Sequence, residues 1–179
     1  MLALIIGGSG SGKSAFAEKL AAERAEAGAG IYYIAAMEPF GEEGRARIMR
    51  HRAQREAFGF KTIERYRDLA GAQLPPGADV LVEDLSNLLA NEMFSPEGVA
   101  AKTENNAMDA VRLGISCLED KCTNLIIVTN EVFSGGSRYE GETLSFMKNL
   151  AILNREIARR ADLVVELVCG IPNVLKGKC

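Results

Sequence analysis

One stretch near the start of the chain, Gly7-Gly8-Ser9-Gly10-Ser11-Gly12-Lys13-Ser14, restricts what this sequence can become more than any other. It follows an apolar run containing Leu2, Leu4, Ile5 and Ile6 that reads as a buried strand, and it matches Gly-x-x-x-x-Gly-Lys-Ser at every fixed position. A strand, a glycine-rich turn and a helix opening near Lys13 set consecutive backbone N–H groups around a phosphate, and the helix N-terminus adds its dipole at the same spot. Lys13 is therefore expected on the β- and γ-phosphates of a nucleoside triphosphate, facing ligand rather than core, and Ser14 on Mg²⁺. A glycine-rich turn with an accidental Gly-Lys-Ser is the plainer reading, but it leaves the required order of strand, loop and helix unexplained.

The same alternation continues downstream. Residues 14–27 read as a helix whose apolar stripe is Phe16, Ala17, Leu20 and Ala21, closed by Gly28 and Gly30. Ile31 to Ala35 is a second buried strand, so Ala35-Ala36-Met37 leaves its carboxyl end, where open parallel sheets gather ligands. A short strand at Phe60 to Glu64 precedes Asp79-Val-Leu-Val-Glu-Asp84, an apolar run that ends in two carboxylates, either of which suits the metal side of a phosphate site. Helices over Leu85 to Phe94 and Glu97 to Asp120 lead to a strand at Asn124 to Thr129, then to Asn130-Glu131 and a loop at Ser134 to Ser137. A helix from Leu144 to Arg160 and a strand from Leu163 to Val168 come before Gly170-Ile171-Pro172. Strands alternating with helices imply right-handed parallel βαβ units. The expected fold is an α/β, P-loop NTPase-like three-layer domain with a mainly parallel sheet, a single domain over 1–179. The order of the strands in the sheet is not legible.

Charge and length exclude several classes. A formal net charge of -3 gives no overall nucleic-acid footprint, so no nucleic-acid partner is expected. The opening apolar run is too short for a membrane span and lacks the basic flank of a signal peptide, which points to the cytoplasm. The 4 cysteines include no Cys-x-x-Cys pair and read as reduced thiols. The anomaly is residues 42–58, where Arg45, Arg47, Arg50, Arg52 and Arg55 surround His51, the single histidine. On a helix Arg47, His51 and Arg55 share one face. That face suits phosphate capture by guanidinium forks, and it equally suits a solvated basic surface with an incidental histidine.

Several blocks together resemble, nearly end to end, the bifunctional adenosylcobinamide kinase/adenosylcobinamide-phosphate guanylyltransferase family of cobalamin biosynthesis. They are the phosphate loop, Tyr33-Ile34-Ala35, Arg47-Ile48-x-x-His51-Arg52-x-x-Arg55, Thr62-x-Glu64, Glu83 and Asn91-x-x-Phe94. Further along come Thr129-Asn130-Glu131-Val132, Asn154-x-x-Ile157-Ala158, Ala161-Asp162 and Gly170-Ile171-Pro172. The resemblance implies that His51 becomes covalently guanylylated by GTP and passes GMP to adenosylcobinamide phosphate. It also implies a kinase step in which ATP or GTP phosphorylates adenosylcobinamide, with Lys13 as the catalytic cation. By the same resemblance the phosphate loop, Ala35, Ala36, Met37, Arg52, Ala53, Gln54, Arg55, Glu64 and Glu83 line the GTP site. Glu83 stands at the family's acidic position, so Ser14 and Glu83 would hold Mg²⁺, with Asp84 a second candidate acid. A homo-oligomer is implied too. The chain departs from the family pattern at Gly10, usually arginine, at Glu56, usually proline, and at Phe133 to Arg138, usually a glycine-rich segment ending in Ile-Val-Pro. Two other readings stand beside this one: a different small-molecule kinase in which His51 is structural, and a GTP-binding regulatory module.

Overall fold

The computed structural model describes residues 1–25, 30–38, 59–98, 104–135 and 138–178. In chain order its main elements are β1 (Leu2–Gly7), α1 (Lys13–Arg24), β2 (Ile31–Ala35), β3 (Phe60–Glu64), β4 (Ala78–Glu83), α2 (Leu85–Phe94), α3 (Glu104–Lys121), β5 (Cys122–Asn130), α4 (Gly141–Arg160), β6 (Leu163–Val168) and β7 (Ile171–Lys176). The strands form a 7-stranded sheet in the order β3-β2-β4-β5-β1-β6-β7. All neighbours are parallel except β6 and β7.

Strands buried on both faces need apolar side chains at successive positions, and β1, β4, β5 and β6 have them. On one face Ala3, Ile5, Leu81, Ile126, Val128 and Val165 pack beneath Ala17, Leu20 and Ala21 of α1, with Phe16 partly buried against them. On the other, Leu4, Val82 and Ile127 pack beneath Leu88 and Leu89 of α2, Val111 and Ile115 of α3, and Leu153 and Ile157 of α4. Among the described residues no helix is long and apolar enough to cross a membrane.

Parallel pairing puts the carboxyl ends of β1 to β6 along one edge. Gly7 lies opposite Asn130 and Leu167, and Ala35 opposite Glu64 and Glu83. From β1 the chain crosses by way of α1 to β2 beyond β5 and β4, whereas from β5 it crosses by way of α4 to β6 on the far side of β1. The two directions part beside β1, at the phosphate loop, which is where ligands bind in open α/β sheets.

The structure departs from the sequence expectations in four places. No strand is expected after Gly170, yet β7 forms there. All its residues are exposed, so it carries no buried stripe to read, and Pro172 is tolerated because the strand lies at the sheet edge. The helix expected from Glu97 has Ser95 to Gly98 as a turn instead, closed by Gly98 N–H donating to Ser95 O at 2.9 Å, with the described helix opening at Glu104. Here Gly98 sits so close to α2 that a Cβ would stand 2.6 Å from the carbonyl oxygens of Asn91 and Glu92. The helix α4 begins at Gly141, ahead of Leu144, and α1 ends at Arg24 rather than Ala27. Expectations for residues 42–58 lie outside the described residues.

A second close approach gives a stability prediction. Gly114 of α3 abuts the 3₁₀ turn Leu69–Gly71, and a Cβ there would stand 2.5 Å from Leu69 Cβ. Gly114→Ala is expected to lower stability by about 1–3 kcal/mol through overpacking, outweighing a helix-propensity gain of about 1 kcal/mol. Urea unfolding checks this; a variant more stable than wild type would show that the turn moves away freely.

Candidate active site

The phosphate loop is held in one conformation by its glycines and its neighbours. Gly10 and Gly12 adopt φ 72° and 90°, in the left-handed region that side-chain-bearing residues avoid. A Cβ on Gly7 would stand 2.5 Å from Ser11 Oγ and 2.8 Å from Leu167 O. Ser11 N–H donates to Gly8 O at 3.2 Å, Glu131 N–H to Gly7 O at 2.9 Å, and Gly170 N–H to Ser11 O at 2.9 Å. The ends of β5 and of the β6–β7 hairpin thus clamp the loop from either side. Gly12 caps α1 without a side-chain bond, which leaves the first helical N–H groups available to an anion.

Lys13 differs from expectation: it is 8% exposed, its stem is packed, and Nζ donates to Gly8 O at 3.1 Å. The ammonium is folded back onto a carbonyl of its own loop. Burial with a single carbonyl partner among the described groups leaves two of its three donors for phosphate oxygens.

The structure separates the two carboxylates ending β4. Ser14 Oγ donates to Glu83 Oε1, bridging the start of α1 to the β4 end. Asp84 is the N-cap of α2: its carboxylate accepts from Asn87 N–H at 2.7 Å, Asn87 Nδ2 at 3.1 Å and Ser86 Oγ. It also accepts from Asn130 Nδ2 at 3.2 Å, and Asn130 donates to Ser86 Oγ as well. With its lone pairs so engaged, Asp84 anchors a helix, and Glu83 is the acid that faces the loop. Asp84→Ala is expected to lower stability by about 1–2 kcal/mol through the lost cap, measured by denaturant unfolding; an unchanged midpoint would refute that role.

A hydroxyl and a carboxylate are hard oxygen donors, and among the described residues no cluster of three or more His, Cys, Asp or Glu could hold a metal. Mg²⁺ fits such a pair, because it keeps water and phosphate oxygens as its other ligands.

The ends of β2 and β3 adjoin Glu83. Ala36 N–H donates to Glu83 O at 2.9 Å and Arg65 N–H to Ala35 O at 3.0 Å. Asn91 of α2 ties both loops, its Nδ2 donating to Ala36 O at 2.8 Å and Tyr66 O at 3.0 Å. Beside Met37, Glu38 accepts from Arg67, which also binds Ser95 Oγ at 2.8 Å and Glu97. The exposed Glu64 accepts from Tyr66 OH at 3.0 Å. Burial, then that hydrogen bond, push the Tyr66 phenol above its ordinary value, so it stays a neutral donor.

Of the residues singled out from sequence, Gly7 to Ser14, Ala35, Ala36, Met37, Glu64 and Glu83 share the carboxyl edge of the sheet, and Ser14 touches Glu83. His51, Arg52, Ala53, Gln54 and Arg55 lie outside the described residues. Sequence reasoning assigned no role to Asn91, Asn130 or Gly170, although each falls in a matched block. The available signal was an amide on an otherwise apolar helix, or at a strand end.

Comparison with known proteins adds to this geometry. A family model described as cobinamide kinase / cobinamide phosphate guanyltransferase matches residues 3–175. The bifunctional adenosylcobalamin biosynthesis protein CobP of Pseudomonas aeruginosa is 34% identical over 179 residues, covering 98% of this chain and 97% of that protein. The corresponding CobU protein of Escherichia coli is 30% identical over 181 residues, covering 96% and 97%. Among solved structures, the flagellar accessory protein FlaH of Methanocaldococcus jannaschii aligns with a TM-score of 0.51 at 13% identity, covering 99% of this chain and 78% of that one. A solved ATPase domain aligns with a TM-score of 0.50 at 14% identity, covering 92% and 68%. These two likenesses concern the fold alone.

Proposed function

The chain belongs to the cobinamide kinase / cobinamide phosphate guanyltransferase family, and on that premise we propose that it runs two reactions at one phosphate loop. It phosphorylates the hydroxyl of adenosylcobinamide with a nucleoside triphosphate, and it transfers GMP from GTP to the phosphate so formed. The observation that carries this reading is the meeting of Ser14 with Glu83 beside a glycine loop onto which Lys13 folds back. Residues 1–179 act here as one domain, and the active form is a homo-oligomer.

In phosphoryl transfer the loop N–H groups and Lys13 neutralise charge spreading over the γ-phosphoryl oxygens. Ser14 and Glu83 would hold Mg²⁺, which when bound supplies further charge neutralisation. In guanylyl transfer a neutral His51 ring nitrogen attacks the α-phosphorus of GTP; the P–N bond forms, the α–β P–O bond breaks and pyrophosphate leaves. The other ring nitrogen gives up its proton as the adduct forms and regains it when the corrinoid phosphate oxygen attacks the same phosphorus and the P–N bond breaks. The neighbouring arginines stabilise the α-phosphate under attack.

The deciding experiment is the intact mass of the protein after incubation with GTP and Mg²⁺, followed by peptide mapping. One added GMP on the His51 peptide is expected, stable to alkali and lost in mild acid. A protein that forms the GDP-linked corrinoid yet never carries GMP would overturn the covalent route.

Glu83→Gln tests the metal-side assignment separately. Losing that charge is expected to raise the barrier by on the order of several kcal/mol and to raise the Mg²⁺ concentration for half-maximal rate, with unfolding unchanged. Wild-type Mg²⁺ dependence in this variant would remove Glu83 from the role.

A further inference from the structure

Toward β6, on the flank of the phosphate loop away from Glu83, a cavity of about 300 Å³ opens between the loop and the ends of β5 and β6. Gly8 to Ser11 make one wall, and Glu131, Glu166 and the Val168-Cys169 corner make the other. The walls are fastened together, since Gly170 N–H donates to Ser11 O at 2.9 Å and Asn173 of β7 reaches Glu166 Oε2 at 3.5 Å. Of the GTP-site residues that family resemblance implies beyond the loop, the described ones stand elsewhere: Ala35 to Met37, Glu64 and Glu83 are at the ends of β2, β3 and β4.

Position, size and charge together choose an occupant. A ligand whose phosphates rest on Gly8 to Ser11 continues into this cavity without a break. The volume stands at the lower end for small-molecule sites, the size of a nucleoside rather than of a corrin macrocycle. Among the described residues the wall facing the loop includes two carboxylates and no Lys or Arg, so that wall repels phosphate and accepts hydrogen bonds from hydroxyl groups. Vicinal ribose hydroxyls are common to ATP and GTP, and Glu131 already spends Oε1 on the N–H groups of Phe133 and Ser134, at 2.8 and 3.1 Å.

We propose that this cavity holds the nucleoside of the triphosphate that donates the γ-phosphoryl group, with Glu166 accepting from its ribose hydroxyls. The kinase donor and the guanylyl donor then lie on opposite flanks of one loop. The proposal rests on the loop binding a nucleoside triphosphate, as argued above.

Cys169 is exposed and lines the cavity, which makes it a reporter, whereas burial pushes the Cys122 thiol up to about 11 and keeps it unreactive. Iodoacetamide labelling of the whole protein is read at the Cys169 peptide with saturating ATP, GTP or tripolyphosphate, and binding of each is measured by calorimetry. Both nucleotides are expected to slow labelling roughly tenfold, and tripolyphosphate much less. Glu166→Ala is expected to raise KM for ATP in phosphoryl transfer about tenfold, the worth of one hydrogen bond to a charged group, with kcat and the rate of GMP adduct formation unchanged. In 2′,3′-dideoxy-ATP that penalty should vanish. Nucleotide that binds without protecting Cys169, equal protection by tripolyphosphate, or an undiminished penalty with the dideoxy donor would overturn the assignment. Failure of all three ligands to bind would instead overturn the phosphate-loop reading beneath it.

Discussion

Replacing His51 with alanine is expected to eliminate guanylyl transfer altogether while phosphoryl transfer continues near the wild-type rate. Guanylyl transfer through a phosphoramidate needs a protein nucleophile, and His51 is the chain's single histidine. Phosphoryl transfer passes directly from donor to acceptor hydroxyl and needs positioning and charge neutralisation only. The informative measurement follows both products in one reaction mixture containing the corrinoid, GTP and Mg²⁺. Accumulation of the corrinoid phosphate with no GDP-linked product is the expected result. In wild type, labelling by α-³²P GTP should also fall in acid, because protonation of the imidazole removes the attacking lone pair. GMP label persisting in His51→Ala would place the nucleophile elsewhere.

The second large effect is expected from Lys13→Met, which should depress nucleotide-dependent turnover on the order of 10³-fold, as for the loss of a preorganised charge stabiliser. Methionine suits the test better than alanine because Lys13 is buried. Its stem packs in the protein, so truncation would add a cavity to the loss of charge. Methionine keeps the stem and deletes an ammonium whose partner is Gly8 O, so thermal unfolding is expected to stay the same or shift upward. Turnover at the wild-type rate would dismiss the phosphate-loop reading. Lost turnover together with a collapsed unfolding temperature would mean that the lysine is chiefly a structural element.

Much of the fold was legible because burial writes itself into short windows. A strand covered on both faces must be apolar throughout, which is why β1, β2, β4 and β6 could be placed within a residue or so from runs such as Leu2 to Ile6 and Leu163 to Val168. Amphipathic helices betray themselves by period, and α2 runs between the two residues the pattern marks, Leu85 and Phe94. β7 failed this test for the converse reason: backbone pairing to β6 holds it, and its side chains meet water. The helix expected from Glu97 was misplaced because Glu97 directly after Pro96 reads as a helix opening, whereas the close approach of Gly98 to α2 keeps Ser95 to Gly98 in a turn.

The sequence by itself determined the phosphate loop and its place between a strand and a helix, since a loop that wraps an anion with backbone N–H groups demands glycines at fixed spacing, and it pointed to the family through the several further blocks that resemble it. Composition and spacing left two adjacent carboxylates open, the family resemblance favoured Glu83, and only the tertiary structure shows which of the two reaches the loop and why. Glu83 and Asp84 are equivalent acids at a strand end in one dimension. Glu83 meets Ser14 because α1 crosses the sheet face and brings its first turn within reach of the β4 end, while Asp84 is spent on capping α2 and holding Asn130. That division depends on strand order and crossover path, which join residues 69 positions apart, and no local pattern carries such information.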